Sequence, residues 1–465
     1  MARKPSPKTA LTERDLSRWR LIEDFQGRLA QVAAQSPLAP TWSDPRRRLQ
    51  YTDYLSLFLL GLLNPVVRTT RGLCSASHLQ RVQQDICSRP VSLGSFSEAQ
   101  SLLDPALLAQ VFGQLSQDLP VAPGPAGPAG RRWLIQDSSL FAALPRMYWA
   151  LWRRQGQTQS AVRLHLSLEV AQNAPARAAL TPGKGCERAA WRTLWQRGDG
   201  YVGDRYYGED YQLFGELDEA GVAFVVRLRE EAVLQVEEQL PLTEADCQAK
   251  VIRSAGVRLG CKARYRSIRL RVVWVQTDKE VLRLVTNRAP QELSAAAVAL
   301  LYRPRWQIEL FFRWIKCILG GRHWLAESPQ GVALEIYLAL IAALLLQLYT
   351  GQGPNRRMME LIQFHLLGVA SREELWAGME RERARGARRK KSGIRRGGSI
   401  RASDLPGRSV ALSGQGDPAR QPNASRLPPL FLCAAHGIFR KRPPCRTELA
   451  GCVRAPCNFG FRVKA

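Results

Sequence analysis

The chain has 465 residues, 45% of them hydrophobic, which is enough to bury the cores of two or three globular domains. Its formal net charge of +27 excludes an ordinary neutral or acidic enzyme surface and favours a polyanionic partner, either nucleic acid or an anionic membrane. The ten cysteines include no C-x2-C pair and the basic N-terminus has no apolar signal-peptide core, so we expect reduced thiols rather than a disulfide framework.

Residues 1–125 carry helical patterns and predict an all-α domain. The expected helices cover 13–36, 51–63, 76–87, 95–104 and a following stretch to about 119. The basic residues Arg68, Arg71 and Arg81 suit contacts with DNA phosphates, and they suit the surface of a plain helical packing domain equally well. The residues leave both interpretations open, and we expect a DNA-binding domain.

A run of proline and glycine at 120–130 predicts a linker and a domain boundary. Beyond it, short apolar or alternating segments mixed with helical ones predict an α/β domain over 131–383. Strands are expected at 133–141, 162–170, 201–204 and 224–228, and helices at 210–220, 304–319, 332–350 and 355–380. A β-rich block at about 230–298 reads as an insertion in this domain.

Residues 384–465 are rich in Arg, Gly, Ser and Pro and show little periodicity. From residue 381 onward the chain has 20 Lys and Arg against four acidic residues. This composition is typical of a disordered basic tail, and an extension produced by a change of reading frame is the alternative.

The most apolar segment of the chain, at 336–349, is too short to cross a bilayer. Glu335 precedes it directly, which disfavours insertion into lipid further. We therefore expect a buried core helix there and no membrane partner.

The most informative pattern lies at 302–316. With about 100° of rotation per helical residue, one narrow stripe collects Tyr302, Arg305, Glu309, Arg313 and Lys316. Apolar residues fall on the opposite side of the helix. One carboxylate among three cations and a tyrosine suits a metal ligand surrounded by phosphate-binding groups. The alternative is an ordinary amphipathic helix with a basic face.

Two further carboxylates belong to predicted strands. Asp137 lies within an apolar strand, where a carboxylate is costly to bury unless it is paired or binds a metal. Asp204 falls at the carboxyl end of a strand, where α/β folds place their ligands. A hydrogen-bonded strand residue and an N-cap or ion-paired residue are the respective alternatives. With Glu309 they make three hard oxygen ligands that suit Mg²⁺ or Mn²⁺, and two such ions promote displacement at phosphorus.

Tyr302, Arg305, Glu309 and Lys316 fit the spacing Y-x2-R-x3-E-x6-K, and the chain resembles Asp-Asp-Glu transposases of the insertion-sequence-four family in this motif. The resemblance extends over most of the first 380 residues. It implies a ribonuclease H-like catalytic core with a β-rich insertion. It matches Asp137 and Asp204 to the family's two aspartates, although the family pattern Asp-Arg-Gly-Tyr has tyrosine instead of glycine at position 206 here. The tyrosine and the basic residues of the motif would bind phosphates of the transposon end.

The resemblance implies a cut-and-paste DNA transposase in the bacterial cytoplasm, associated with the nucleoid. Such an enzyme binds terminal inverted repeats and target DNA, uses Mg²⁺ or Mn²⁺, cleaves through a hairpin intermediate and joins strands in a dimeric synaptic complex. A catalytically inactive DNA-binding remnant and a ribonuclease H-like nuclease remain as alternatives. Metal-dependent cleavage separates the enzymes from the remnant, and strand joining separates the transposase from the nuclease.

Overall fold

A computed structural model describes residues 20–35, 46, 48–119, 130–154, 157–261, 269–319, 324–351 and 353–396. The N-terminal part is helical, as predicted. Its helices are α1 Arg20–Gln35, α2 Tyr51–Leu63, α3 Thr70–Ala76, α4 Gln80–Asp85, α5 Leu93–Leu102 and α6 Pro105–Asp118. Side-chain oxygens of Thr69, Ser92 and Asp104 cap α3, α5 and α6 by accepting backbone N–H groups, which explains where these helices begin.

The helix predicted at 76–87 is shorter in the structure, since α3 ends at Ala76 and α4 spans Gln80–Asp85. The Ser77 hydroxyl donates to the Cys74 carbonyl at 2.6 Å and accepts the Val91 N–H at 2.8 Å. A serine that bonds the backbone in this way competes with continued helix. The predicted linker falls largely on 120–129, outside the described residues.

The rest of the described chain forms a mixed α/β region. Its strands are β1 Trp133–Ala142, β2 Leu151–Arg154, β3 Gln157–Glu169, β4 Ala174–Pro182, β5 Gly200–Gly203, β6 Ala223–Arg227, β7 Leu234–Leu240, β8 Val251–Leu259, β9 Leu270–Gln276 and β10 Val281–Thr286. Its helices are α7 Glu187–Leu194, α8 Tyr211–Glu219, α9 Glu244–Gln248, α10 Ala295–Tyr302, α11 Gln307–Ile318, α12 Pro329–Thr350, α13 Arg356–Leu366 and α14 Arg372–Arg396. The elements that were not anticipated from the sequence are β2, β4, α7, α9 and α10.

The strands make one sheet in the order β2-β3-β1-β5-β6-β10-β9-β8-β7, and β4 also pairs with β3. Strands β1, β3 and β4 are antiparallel neighbours, whereas β5 and β6 run parallel to β1. The carboxyl ends of β1, β5 and β6 therefore meet at one edge. In an open sheet with helical connections, this edge is where ligands bind.

The β-rich block predicted at about 230–298 supplies β7 to β10. These strands extend the same sheet, since β10 pairs antiparallel with β6 over Leu284–Arg227 to Thr286–Val225. The block is therefore joined by backbone hydrogen bonds to the strands that carry the candidate site.

Helix α12 lies in the centre of the core. It is long and apolar enough to cross a membrane by composition, but 83% of its most apolar stretch, within Pro329–Leu348, is buried inside the protein. It packs against α2, α5, α6 and β4, and one continuous hydrophobic cluster joins its side chains to the N-terminal helices. The expectation of a buried core helix is confirmed.

Helix α14 continues to Arg396, 13 residues into the segment predicted to be a low-order tail from 384. Acidic residues in its first turn, Glu373 and Glu374, favour this start. The remaining tail, 397–465, lies outside the described residues.

Candidate active site

Asp137 and Asp204 are brought together by the pairing of two parallel strands. The last paired residues of β1 and β5 are Ile135 and Val202. Two positions further along each strand lie Asp137 and Asp204, so the register places the two carboxylates at the same edge of the sheet. Both predicted aspartates therefore share one site.

The environment of Asp137 is unfavourable for an isolated negative charge. The pKa of Asp137 is raised to about 7, chiefly by burial and also by the nearby charges of Asp204 and Glu187, whereas the Ser138 N–H and Arg305 oppose this shift. The Ser138 N–H donates to Asp137 Oδ1 at 2.7 Å. A buried carboxylate beside other carboxylates is stabilised in its charged form by a nearby cation.

The turn after β5 holds Asp204 without a glycine at position 206. Tyr206 has φ −67° and ψ −40°, an ordinary right-handed conformation, and its N–H donates to Asp204 Oδ1 at 2.9 Å. The close approach of backbone to backbone occurs at Gly208 instead, where a Cβ would lie 2.1 Å from the Arg227 carbonyl oxygen.

Asp210 caps α8 by accepting the Leu213 N–H at 3.3 Å, which gives Asp210 a structural role.

The third carboxylate reaches the site through an arginine. Arg305 Nη1 lies 3.6 Å from Asp137 Oδ2, and each of these side chains is 20% exposed. The same guanidinium also pairs with Glu309, one helical turn further along, whose side chain is 53% exposed. One cation therefore bridges Asp137 and Glu309. Within the described part of the chain, no three His, Cys, Asp or Glu side chains are arranged as a metal-binding group.

Tyr302 ends α10, and the 3₁₀ turn Arg303–Trp306 separates it from α11. It is 8% exposed. Burial raises the pKa of the Tyr302 hydroxyl, Arg305 and Arg227 oppose this shift, and the Arg227 side chain hydrogen-bonds to it. Tyr302 therefore faces the carboxylates although it does not belong to α11.

The remaining members of the predicted stripe lie along α11. The Lys316 ammonium lies 5.4 Å from the centre of the Phe141 ring, near the end of β1, and Arg313 is exposed. On the opposite side Phe311, Ile315 and Ile318 are buried, as the sequence pattern predicted.

Two charged groups near the carboxylates escaped the sequence analysis. Arg227 follows Val226, the partner of Gly203 in β5, so it lies beside Asp204 at the same sheet edge. It also pairs with Glu280 at 2.5 Å. Glu187 begins α7 and pairs with Arg163 of β3, whose Nη1 donates to Ser138 Oγ at 3.0 Å. The elements that carry Arg227 and Glu187 have no recognisable sequence spacing to Asp137. The only sequence feature that could have indicated either residue is the position of the basic Arg227 at the end of a strand.

Residues 129–345 match the model of the transposase DDE domain. Over this segment, just under half of its length, the chain is similar to DDE transposases. The matched segment contains β1 to β10, α10 and α11, and therefore every predicted site residue.

Curated relatives are named as transposases. The chain is 29% identical over 308 residues to the putative transposase y4zB of Sinorhizobium fredii, and this match covers 65% of this chain and 83% of the relative. It is 25% identical over 215 residues to the probable transposase for insertion sequence element IS5377 of Geobacillus stearothermophilus, which covers 46% and 55%. A shorter match, 34% identical over 86 residues, joins it to the putative transposase for insertion sequence element IS4SA of Synechocystis and covers 17% and 25%.

Among solved structures, the cryo-EM structure of the piggyBac transposase synaptic complex with hairpin DNA is similar over 86% of this chain and 88% of that chain. The TM-score is 0.39 and the sequence identity is 12%.

Proposed function

We propose that this protein is a DDE transposase that cleaves and joins DNA strands, with Asp137, Asp204 and Glu309 as its catalytic carboxylates. The observation that carries the proposal is the meeting of Asp137 and Asp204 at the ends of β1 and β5, with Arg305 between Asp137 and Glu309. A ribonuclease H-like core is supported by three antiparallel strands followed by two parallel ones, in the spatial order β4-β3-β1-β5-β6. We propose this architecture for 131–383, with β7 to β10 as its insertion.

The proposed cofactor is Mg²⁺ or Mn²⁺, as two ions. The donor set fits these metals, because carboxylate oxygens are hard ligands and burial beside Asp204 already disfavours the free charge of Asp137. Asp137, Asp204 and Glu309 would hold the ions, which would lower the pKa of an attacking water or 3′-hydroxyl and stabilise the leaving oxygen. Arg305 would then exchange its carboxylate partners for phosphate.

The proposed phosphate-binding groups are Tyr302, Arg305, Arg313 and Lys316. Tyr302 and Arg305 lie next to the carboxylates, whereas Arg313 and Lys316 extend the line of donors along the exposed face of α11. Guanidinium groups match phosphate oxygens in a bidentate geometry, and an ammonium supplies a point charge. This line of donors would fix a DNA strand with one phosphorus at the carboxylates.

The proposed substrates are the terminal inverted repeats of an insertion-sequence-four type element and a target DNA. We propose a hairpin intermediate, a homodimeric synaptic complex and a bacterial cytoplasmic location at the nucleoid. The net charge of +27 supports DNA as the partner. The helical part at 1–125 would bind the repeats, and the basic residues that follow α14 would add positive charge that favours DNA.

The decisive experiment uses full-length protein, duplexes that carry the inverted repeats flanking the coding frame, and Mg²⁺ or Mn²⁺. We expect strand cleavage and joining that require the metal. Asp137→Asn, Asp204→Asn and Glu309→Gln should each reduce cleavage at least about 1,000-fold while DNA binding persists, because groups that act as a unit fail together. Asp210→Asn, a neighbouring cap, should retain cleavage.

Three outcomes would contradict parts of this proposal. Binding without cleavage by the unaltered protein would identify an inactive remnant. Cleavage without joining would identify a nuclease. Normal cleavage in one of the three carboxylate variants would remove that residue from the site.

A further inference from the structure

A cleft between α13 and α14 carries charge that the carboxylate site does not use. Its volume is about 290 Å³, and Arg357, Arg381 and Arg385 line it together with Phe364. None of its lining residues is a predicted site residue. The cleft therefore requires a separate explanation.

The arginines of α14 lie in one line. Counted from Arg381 at about 100° per residue, Arg385 lies near +40° and Arg388 near −20°. Between Arg381 and Arg388 the helix rises about 10 Å, so three guanidiniums follow a straight strip of surface. A strip of this kind suits a row of negative charges rather than a single anion.

A buried carboxylate holds part of this strip in place. Glu382 is 9% exposed, and its Oε1 accepts Arg385 Nη1 at 2.6 Å and lies 3.8 Å from Arg357 Nη1. Two guanidiniums share this one carboxylate, so positive charge remains unneutralised. Among the ion pairs formed by described residues, none includes Arg381 or Arg388.

The strip belongs to an anchored element. Leu375 and Met379 of α14 pack against the main hydrophobic cluster. Gly378 approaches α13 so closely that a Cβ would lie 2.8 Å from a methyl carbon of Leu361. The backbone under the arginines is therefore fixed, and ordering it on binding would cost little.

We propose that Arg381, Arg385 and Arg388, with Arg357 across the cleft, form a second DNA-binding surface that takes phosphates of a duplex backbone outside the carboxylate site. The contacts are independent of sequence, since they reach no base edge. The inference rests on the proposed function only in that DNA is the partner of this enzyme. The row of guanidiniums, in which Arg381 and Arg388 form no ion pair with a described residue, favours a duplex over a membrane, because a duplex presents phosphates in a line.

The test measures fluorescence anisotropy of full-length protein with a duplex that lacks inverted repeats, at salt concentrations from 50 to 200 mM. For Arg381→Ala/Arg388→Ala we expect the log–log salt slope to fall by about two and the Kd at 100 mM salt to rise roughly tenfold. Arg383→Ala is the matched control, because Arg383 lies about 200° around the helix from Arg381 and pairs with Glu380. The control should leave slope and Kd unchanged.

Cleavage of duplexes that already carry bound enzyme at saturating concentration should be unchanged in the double variant, whereas the carboxylate variants lose it. An unchanged slope in the double variant would overturn the proposal. The proposal would also be overturned if the double variant bound vesicles of anionic lipid more weakly but kept its affinity for DNA. That result would assign the strip to a membrane. Failure of the carboxylate variants to lose cleavage would contradict the proposed function and leave this binding result intact.

Discussion

At the scale of single residues, Arg305 connects two of the candidate catalytic carboxylates. It contacts Asp137 and pairs with Glu309 four positions later in the chain. A guanidinium cannot lose its proton in a protein, so Arg305 stays positively charged at every pH at which these carboxylates are ionised. Its single charge lies between two of the three carboxylates that would hold the proposed metal ions.

Removal of the phosphate-binding cations should weaken DNA binding in a measurable way. Arg305→Ala and Lys316→Ala should each reduce the log–log salt slope for binding of cleaved repeat ends by about one, because each removes one phosphate contact. The measurement is anisotropy with end-containing duplexes over a salt series. Arg258→Ala, whose side chain pairs with Glu237 on β7, serves as the control. Equal slopes in both variants and the control would mean that this face of α11 meets solvent or protein.

The sequence predicted individual site residues better than their partners. The sequence singled out Asp137 because a charged residue is unusual in an apolar strand. It singled out Glu309 because an acidic residue is unusual on a helix face that is otherwise basic. The proximity of Tyr302 to Arg227 could not be predicted from the sequence, because the two residues are 75 positions apart, at the end of α10 and in β6. The ion pair between Arg305 and Glu309 has the i,i+4 spacing of an ordinary amphipathic helix, which was the alternative to a metal ligand at Glu309.

At the scale of elements, the turn between β5 and α8 depends on one close approach. In Gly208→Ala the new methyl group would overlap the Arg227 carbonyl oxygen, 2.1 Å away, and would push the turn off β6. We expect a loss of stability of about 1–3 kcal/mol and a large loss of cleavage, because Asp204 belongs to this turn. Thermal unfolding and the cleavage assay measure the two effects.

Gly94→Ala is the control for this substitution. A Cβ there meets nothing within 4 Å, and Gly94 lies within α5. Alanine in a helix should leave stability equal or raise it by about 0.5–1 kcal/mol. Equal behaviour of the two variants would show that the turn tolerates displacement.

The core helix α12 contains a fully buried acid that makes stability depend on pH. Glu335 is 1% exposed and its Oε2 accepts the Leu325 N–H at 3.0 Å. Burial raises the pKa of Glu335 to about 8, although backbone hydrogen bonds from Leu325 and Ala326 oppose the shift. Because the folded pKa exceeds the unfolded value of about 4.5, the stability that this group contributes is lost as pH rises from about 4.5 to 8.

Glu335→Gln should therefore flatten the decline of the melting temperature between pH 5 and pH 9. The upper limit of the difference is about 5 kcal/mol, from the linkage of a pKa moved from 4.5 to about 8. Glu327→Gln, at an exposed carboxylate that pairs with Arg146, should keep the pH dependence of the unaltered protein. A parallel decline in unaltered protein and Glu335→Gln would show that this carboxylate is ionised in the fold.

Periodicity predicted the long elements and missed the short ones. The apolar run of α12 and the alternating strand β3 were recognised, because each repeats its period several times. Helix α7 spans only Glu187–Leu194, and β4 is rich in alanine and proline, so neither gave a usable period. Strand β10 joins the β-rich block to the rest of the sheet by pairing with β6. This is a long-range pairing, and the local sequence pattern does not encode it.

At the scale of the whole molecule, the chain beyond α14 should be dispensable for folding. Removal of 397–465 should leave the melting temperature within about 2 °C, because a segment rich in Arg, Gly and Pro buries too little apolar surface to offset its ordering cost of about 1–2 kcal/mol per residue. It should also weaken non-specific DNA binding at low salt. Thermal unfolding and anisotropy of the truncated protein test both statements. A fall of many degrees would show that this segment packs on the core.

The shared hydrophobic cluster of α12 and the N-terminal helices has a consequence for synthesis on the ribosome. Helices α1 to α6 are made first, but α12 ends 232 residues after α6, so their apolar faces await a partner that emerges on the order of ten to fifty seconds later. During that interval the nascent N-terminal segment should expose leucine-rich surface, because α12 is not yet present to cover it. A gene fragment that stops before α12 should therefore yield insoluble product, and the N-terminal region should acquire its mature fold only after the catalytic region has been translated.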